Sequence, residues 1–275
     1  MSSLHSSVER VQSVFLYKIL GLPHCVPYAA LCLEGGQQRI ETRAWLRFLK
    51  YWVKICFFSS KDILLQALLA DSLLPKGLAL FLKKIKTLGL SPDSMGSIPP
   101  PRVFQTIKNR VLDIEGQTLF SAALKVCSPL HFQLPLTLGR RPSYLHHLEQ
   151  PQDRWAFTLA RCNIVPSSLA QGRYKGLPTE LRVCPCGQGK TESLQHMLFY
   201  CTLYKDIRLS HLTVFLPSHS GWADLRKIQY LLCDLSKEVT LSTARYVQAI
   251  IQRRRNMLPQ NEGLQLRFPG TSSCL

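Results

Sequence analysis

Four residues within an 18-residue window limit what this chain can become: Cys184, Cys186, His196 and Cys201, spaced C-x-C-x9-H-x4-C. Thiolate sulfur and imidazole nitrogen are the donors a structural zinc ion selects. Four such donors close its tetrahedral shell with no position left for water. Pro185 fixes one backbone angle between the first two ligands, and Gly187 and Gly189 let the chain turn back sharply. The pattern of Leu194, Met197, Leu198 and Tyr200 predicts a turn or more of helix carrying His196, with Cys201 at its end. The site expected at 181–208 is therefore a closed zinc knuckle, Zn2+ being a staple and no hydrolytic centre. Ordinary buried thiols beside an ordinary histidine are the other reading of these residues.

The 275 residues are 46% hydrophobic, enough for one or two packed cores. Lys and Arg number 34 against 17 Asp and Glu, a net charge of +17 spread through the sequence. That imbalance suits a polyanion, RNA or DNA above all; a merely basic surface is the alternative. Residues 1–13 are polar and Ser-rich and do not read as a secretory leader. The ten cysteines are accordingly expected reduced, in a nuclear or cytoplasmic protein that is not secreted. Cys25, Cys32, Cys56, Cys127, Cys162 and Cys233 read as core, and Cys274 is misplaced for prenylation. The most apolar region, 63–82, is broken by Gln66, Asp71, Pro75 and Lys76, so no membrane span is expected.

The periodicity predicts a mainly α fold, one or more irregular helical domains with one small zinc knuckle. A helix over 8–20 places Val8, Val11, Phe15 and Leu16 on one face, with Ile19 beside them. A short one starts at Pro27 and stops at Gly35-Gly36. The helix over 37–57 carries Arg39, Arg43, Arg47, Lys50 and Lys54 on one stripe, which is either a phosphate-contacting row or a solvated face. Helices follow over 61–74 and 76–88. The Gly- and Pro-rich stretch 89–101 reads as a linker between an N-terminal helical region, 1–88, and a second, 102–257. Helical spacing resumes over 102–127 and 151–165. Arg140 and Arg141, beside Tyr144, suit a loop on a nucleic-acid backbone or a plain turn. A loop over 167–183 leads to the knuckle. Strand-like alternation is confined to 212–216, helices are predicted over 223–235 and 240–257, and 258–275 reads as a flexible tail.

The knuckle resembles the C-terminal zinc-knuckle region of the reverse transcriptases of long interspersed (non-LTR) retrotransposons. Beyond the four ligands the resemblance takes in Glu192-Ser193, Tyr204 and Arg208. Upstream it includes Arg161, Asn163, Pro166-Ser167 and Gly172-Arg173-Tyr174. The N-terminal part, Ile19-Leu20-Gly21-Leu22-Pro23 through Arg43-Ala44-Trp45 to Tyr51-Trp52, looks like the stretch such polyproteins carry just after the polymerase domain. It spans residues 10–257, and only the knuckle is a sharp signature. The resemblance implies an accessory segment that helps a retrotransposon polymerase hold RNA template or target DNA. No aromatic-x-Asp-Asp polymerase motif and no endonuclease constellation accompany it, so the segment is expected to be non-catalytic.

The residues expected to meet phosphate or base are Arg43, Arg47, Lys50, Lys54, Arg140, Arg141, Arg161, Arg173, Arg182, Lys190, Tyr204, Arg208 and the triplet Arg253, Arg254, Arg255. Tyr200 joins Tyr204 as a ring that either stacks on a base or packs on the zinc-bearing turn. Two other functions remain open: a zinc-stapled module for protein interaction, and a decayed transposon remnant with no selected activity.

Overall fold

Gly36 and Gly89 mark two of the places where this chain must turn left-handed, with φ of 61° and 71°. Between such turns it is built from helices. The computed structural model describes residues 7–24, 26–57, 74–91, 100–124, 134, 138–216, 221–233 and 236–257. Among these the sole β pairing is one antiparallel bridge between Val183 and Thr191. The mainly α class expected from periodicity is what the backbone adopts. Of the helix expected over 61–74, residues 61–73 lie outside the described residues and Leu74 opens the next helix; the tail 258–275, Cys25, Cys127, Cys274 and the Cys56 side chain also lie outside them.

Two units divide the chain: residues 1–12 with 38–121, and residues 13–37 with 122–275. The boundaries fall within α1 (Ser7–Leu20), at 37/38, and near the end of α5 (Pro100–Leu124). In the first unit, α3 (Ile40–Phe57), α4 (Leu74–Thr87) and α5 share one core. Leu46, Leu49, Trp52 and Val53 meet Phe81, Ile85 and Leu88, and then Val103, Ile107 and Val111. The stretch read as a linker, 89–101, thus runs between two helices of one core. Of it, 92–99 lie outside the described residues.

The α1 face differs from the expected one. Val8, Val11 and Phe15 are exposed, while Leu16 and Leu20 are buried together with Glu9 and Gln12. Polar partners explain the inversion. Arg39 donates to the Glu9 carboxylate at 2.7 Å. Gln12 donates to the Gln38 carbonyl at 2.8 Å and accepts from the Ile40 amide. Glu115 accepts from the Arg39 amide at 2.8 Å. These groups satisfy the otherwise orphaned start of α3, so the polar face of α1 goes inside.

In the second unit, α2 (Tyr28–Glu34), the single turn α6 (Tyr144–His147), α7 (Pro151–Arg161), α8 (Ser168–Tyr174), α9 (Lys205–His211), α10 (Asp224–Leu232) and α11 (Lys237–Met257) follow in order. The central element is α11, against which α6, α7, α9 and α10 all pack. It buries Val239, Ala244, Tyr246, Val247, Ile250 and Ile251. Where a loop was expected over 167–183, Ser167 instead caps α8, its Oγ accepting from the Ala170 amide at 3.1 Å. The stretch 212–216 closes as turns, with Leu216 donating back to the Leu212 carbonyl at 3.0 Å, so no strand forms there. Cys32 and Cys162 are buried as expected, and Cys233 is half-buried.

Candidate metal centre

The bridge between Val183 and Thr191 makes the first half of the site. It is flanked by the Cys184 amide donating to the Lys190 carbonyl at 2.8 Å and the Glu192 amide donating to the Arg182 carbonyl at 3.0 Å. The loop it closes carries Cys184 and Cys186, and turns through Gly187 and Gly189 at φ of 78° and 64°. Side chains there would strain the return, which is why glycine stands at both.

The second half is a π turn over His196–Tyr200, not the expected α-helical one. Its closing bond runs from the Cys201 amide to the His196 carbonyl at 2.8 Å. Five residues of α-helix would separate His196 and Cys201 by about 140° around the axis. The wider π turn brings them to one side, and such turns recur at functional sites. The carbonyls that this register change exposes are taken up from two directions. Arg208 donates to the Leu198 and Cys201 carbonyls at 2.7 and 2.8 Å. Tyr246 of α11 donates to the Met197 carbonyl at 2.7 Å. Burial pushes the Tyr246 hydroxyl up to about 12, so it stays a donor.

The Sγ atoms of Cys184, Cys186 and Cys201 and a ring nitrogen of His196 all lie within 4.8 Å of one another, and this group can hold a metal ion. Cys184 Sγ is 3.6 Å from Cys201 Sγ, and Cys186 Sγ is 3.4 Å from His196 Nε2. Cys184, His196 and Cys201 are buried and Cys186 is half-buried. Burial, with the Cys186 thiol, raises Cys184 and Cys201. Burial also lowers His196, helped by Arg208 and Lys190 and opposed by Glu192. The imidazole is thus kept neutral with a lone pair to give, and a bound cation would turn the thiols into thiolates with release of protons.

A sealed ion pair lies behind the centre. The Glu192 carboxylate is fully buried and accepts from Arg254 Nε and Nη2, each at 2.8 Å, and from the Ser168 amide at the start of α8. Arg254 also donates to Ser168 Oγ at 3.2 Å. The loop between the ligands is in this way tied to α8 and α11.

Of the residues expected at a nucleic-acid surface, Arg161, Arg254 and Tyr204 are buried, and several others make contacts within the protein. Arg161 is buried, paired with Glu34 of α2 and donating to the Leu232 carbonyl, because a cation brought inside must find a carboxylate. Arg254 is held by Glu192. Tyr204 is fully buried, which overturns the stacking role, and burial raises its hydroxyl. Arg208 braces the π turn. Arg182 lies over Gly172 and donates to the Leu177 carbonyl at 2.8 Å. Arg253 reaches Asp206 with both terminal nitrogens, at 2.5 and 2.7 Å, and Arg255 lies 5.6 Å from the Trp155 ring. Arg141 is exposed and donates to the Leu145 carbonyl at 3.0 Å. Tyr144 is buried against Phe157 and Arg161, so the 139–145 stretch offers no ring.

Arg43, Arg47 and Lys50 are exposed along α3, as are Arg140, Arg173 and Lys190 elsewhere; the Lys54 side chain is outside the described residues. Sequence reasoning missed the contacts of α10. Asp224 Oδ2 accepts from Tyr200 Oη and from Gln195 Nε2, both at 2.6 Å. Asp224 at a predicted helix start was the available signal.

No protein-family model, curated protein or solved structure matches this chain. No described helix is long and apolar enough to cross a membrane.

Proposed function

We propose that this chain is a non-catalytic, zinc-stapled helical module that binds single-stranded RNA or DNA. The observation that carries the reading is the closed Cys184, Cys186, His196 and Cys201 group. A tetrahedral zinc with bonds of about 2.3 Å to sulfur and about 2.05 Å to nitrogen requires edges of about 3.75 Å between sulfurs and about 3.55 Å between sulfur and nitrogen. Two of the six separations, 3.6 and 3.4 Å, lie close to these, and all six fall within 4.8 Å. Three thiolates and one imidazole also suit zinc better than the oxygen-seeking divalent ions. The buried setting and the full donor set favour a structural ion.

The polyanion half of the proposal draws on the +17 charge and on the cations that remain outward, Arg43, Arg47, Lys50, Arg140, Arg173 and Lys190. The retrotransposon resemblance supplies a context, an accessory piece beside a polymerase carried elsewhere. A nuclear or cytoplasmic location follows from that role. The test is metal analysis of the purified protein followed by a salt titration of its binding to a labelled single-stranded oligonucleotide. One zinc per chain and an affinity that falls linearly in log-log against salt are expected. Absent or salt-insensitive binding refutes the nucleic-acid half. The second reading, a zinc-stapled module for protein interaction, draws on the inward arginines Arg161 and Arg254, and it predicts zinc with negligible oligonucleotide affinity.

A further inference from the structure

The π turn does more than present His196. It also places Phe199 and Tyr200 against the start of α10, where aromatic rings and cations alternate. Tyr200 is 52% exposed, and its hydroxyl donates to Asp224. Phe199 and Tyr200 stand edge to face, 6.2 Å apart. Lys227 Nζ lies 6.0 Å from the Phe199 ring. On the next stretch, Arg226 lies 4.2 Å above the half-buried Trp222, and Trp222 meets Tyr230 edge to face at 5.8 Å. Asp224, the acid of this surface, is engaged by Tyr200, Gln195 and Lys227, the last at 3.8 Å.

We infer that this face, Phe199, Tyr200, Trp222, Arg226, Lys227 and Tyr230, is where a single strand of nucleic acid docks, bases on the rings and phosphates at the two cations. The inference rests on the nucleic-acid reading above and assigns it a surface. Rings and cations in alternation are what sequence-tolerant single-strand binding needs, since every base has a π face and every linkage a charge. Charge complementarity decides for a polyanion over an apolar partner: two cations stand against one carboxylate, Asp224 shares its charge with Lys227, and the exposed Arg226 leaves the face net positive. The chain that carries two of these rings is the one that carries His196.

The experiment compares Trp222→Ala, Trp222→Phe and Arg226→Glu in the full chain, with a fluorescent single-stranded oligonucleotide read by anisotropy over a salt series. RNA and DNA probes of one sequence distinguish the two sugars, and a duplex of that sequence serves as contrast. Trp222→Ala is expected to weaken single-strand binding about tenfold, Trp222→Phe to restore most of it, and the duplex to be affected less. Arg226→Glu should lower the salt slope by about one. Zinc content and circular dichroism should stay as in the parent, since none of these side chains touches a ligand. Parent-like affinity in Trp222→Ala and Arg226→Glu, with the parent binding well, overturns the assignment of this face and leaves the nucleic-acid reading standing. Failure of the parent itself to bind overturns both.

Discussion

Glu192 and Arg254 meet inside the second unit as a two-pronged ion pair, both nitrogens at 2.8 Å, with neither partner more than a few per cent exposed. The pair joins the ligand loop to the last helix across 62 residues of sequence. Two parallel N–H to oxygen bonds fix both distance and plane, which a lysine could not do. Replacing Arg254 by Ala strands a buried carboxylate and is expected to cost about 3–5 kcal/mol. Chemical denaturation measures it. An Arg254→Ala protein of parental stability but weakened oligonucleotide binding would return Arg254 to the surface role its sequence position suggested.

Metal removal should act on stability more than any single surface change. Free metal a thousandfold above its dissociation constant contributes about 4 kcal/mol to the folded state. Cys184→Ser is expected to abolish stoichiometric zinc and lower the melting temperature, and a strong chelator should do the same to the parent. Zinc retained at one equivalent in Cys184→Ser refutes the ligand set.

Gly36 sits at φ of 61°, and a Cβ there would lie 1.8 Å from the Arg140 carbonyl oxygen. Gly139 also donates to the Gly36 carbonyl at 3.0 Å, so the two segments are in backbone contact. Gly36→Ala combines left-handed strain with overlap and is expected to cost about 2–4 kcal/mol. Gly176→Ala is the control: φ is 64° but nothing lies within 4 Å. It should cost about 1–2 kcal/mol, the strain alone. Equal losses in the two denaturation curves would mean that the Arg140 carbonyl moves aside.

Glu115 titrates against stability. Burial raises its carboxyl above the ordinary 4.5, although the Arg39 amide, Thr42, Arg39 and Arg43 pull the other way. The folded state holds this proton more tightly than the unfolded one. Its contribution is therefore favourable below the unfolded value and declines as pH rises from there through the raised folded value. Glu115→Gln keeps an acceptor for the Arg39 amide and removes the titration. Urea midpoints from pH 4 to 7 should fall less steeply in the variant than in the parent, and parallel profiles would contradict the assignment.

What the sequence made legible was local. Cys184, Cys186, His196 and Cys201 lie within 18 residues, so ligand chemistry and turn residues were enough to group them. Helix spans were likewise readable, because period and Gly/Pro stops are short-range. The π turn was not, since one added residue per turn leaves the apolar pattern of Met197, Leu198 and Tyr200 unaltered. The inward arginines were missed for another reason. Glu34 lies 127 residues from Arg161, and no spacing rule predicts that a carboxylate will arrive from so far. On α1 the periodicity identified a helix but chose the wrong face, because Glu9 and Gln12 are drawn in by Arg39, Gln38 and Ile40 rather than by apolarity.

The central place of α11 has a bearing on how the second unit comes into being. Residues 13–37 leave the ribosome some 200 residues before Lys237–Met257, and α7 and α10 also emerge ahead of the helix they pack against. Until α11 arrives, α7 lacks part of its cover, Trp155 lacks Arg255, and Glu192 lacks Arg254. Assembly of this half is thus expected only once α11 has emerged, with nascent apolar surface for chaperones to shield meanwhile, whereas α3, α4 and α5 of the first unit emerge far earlier.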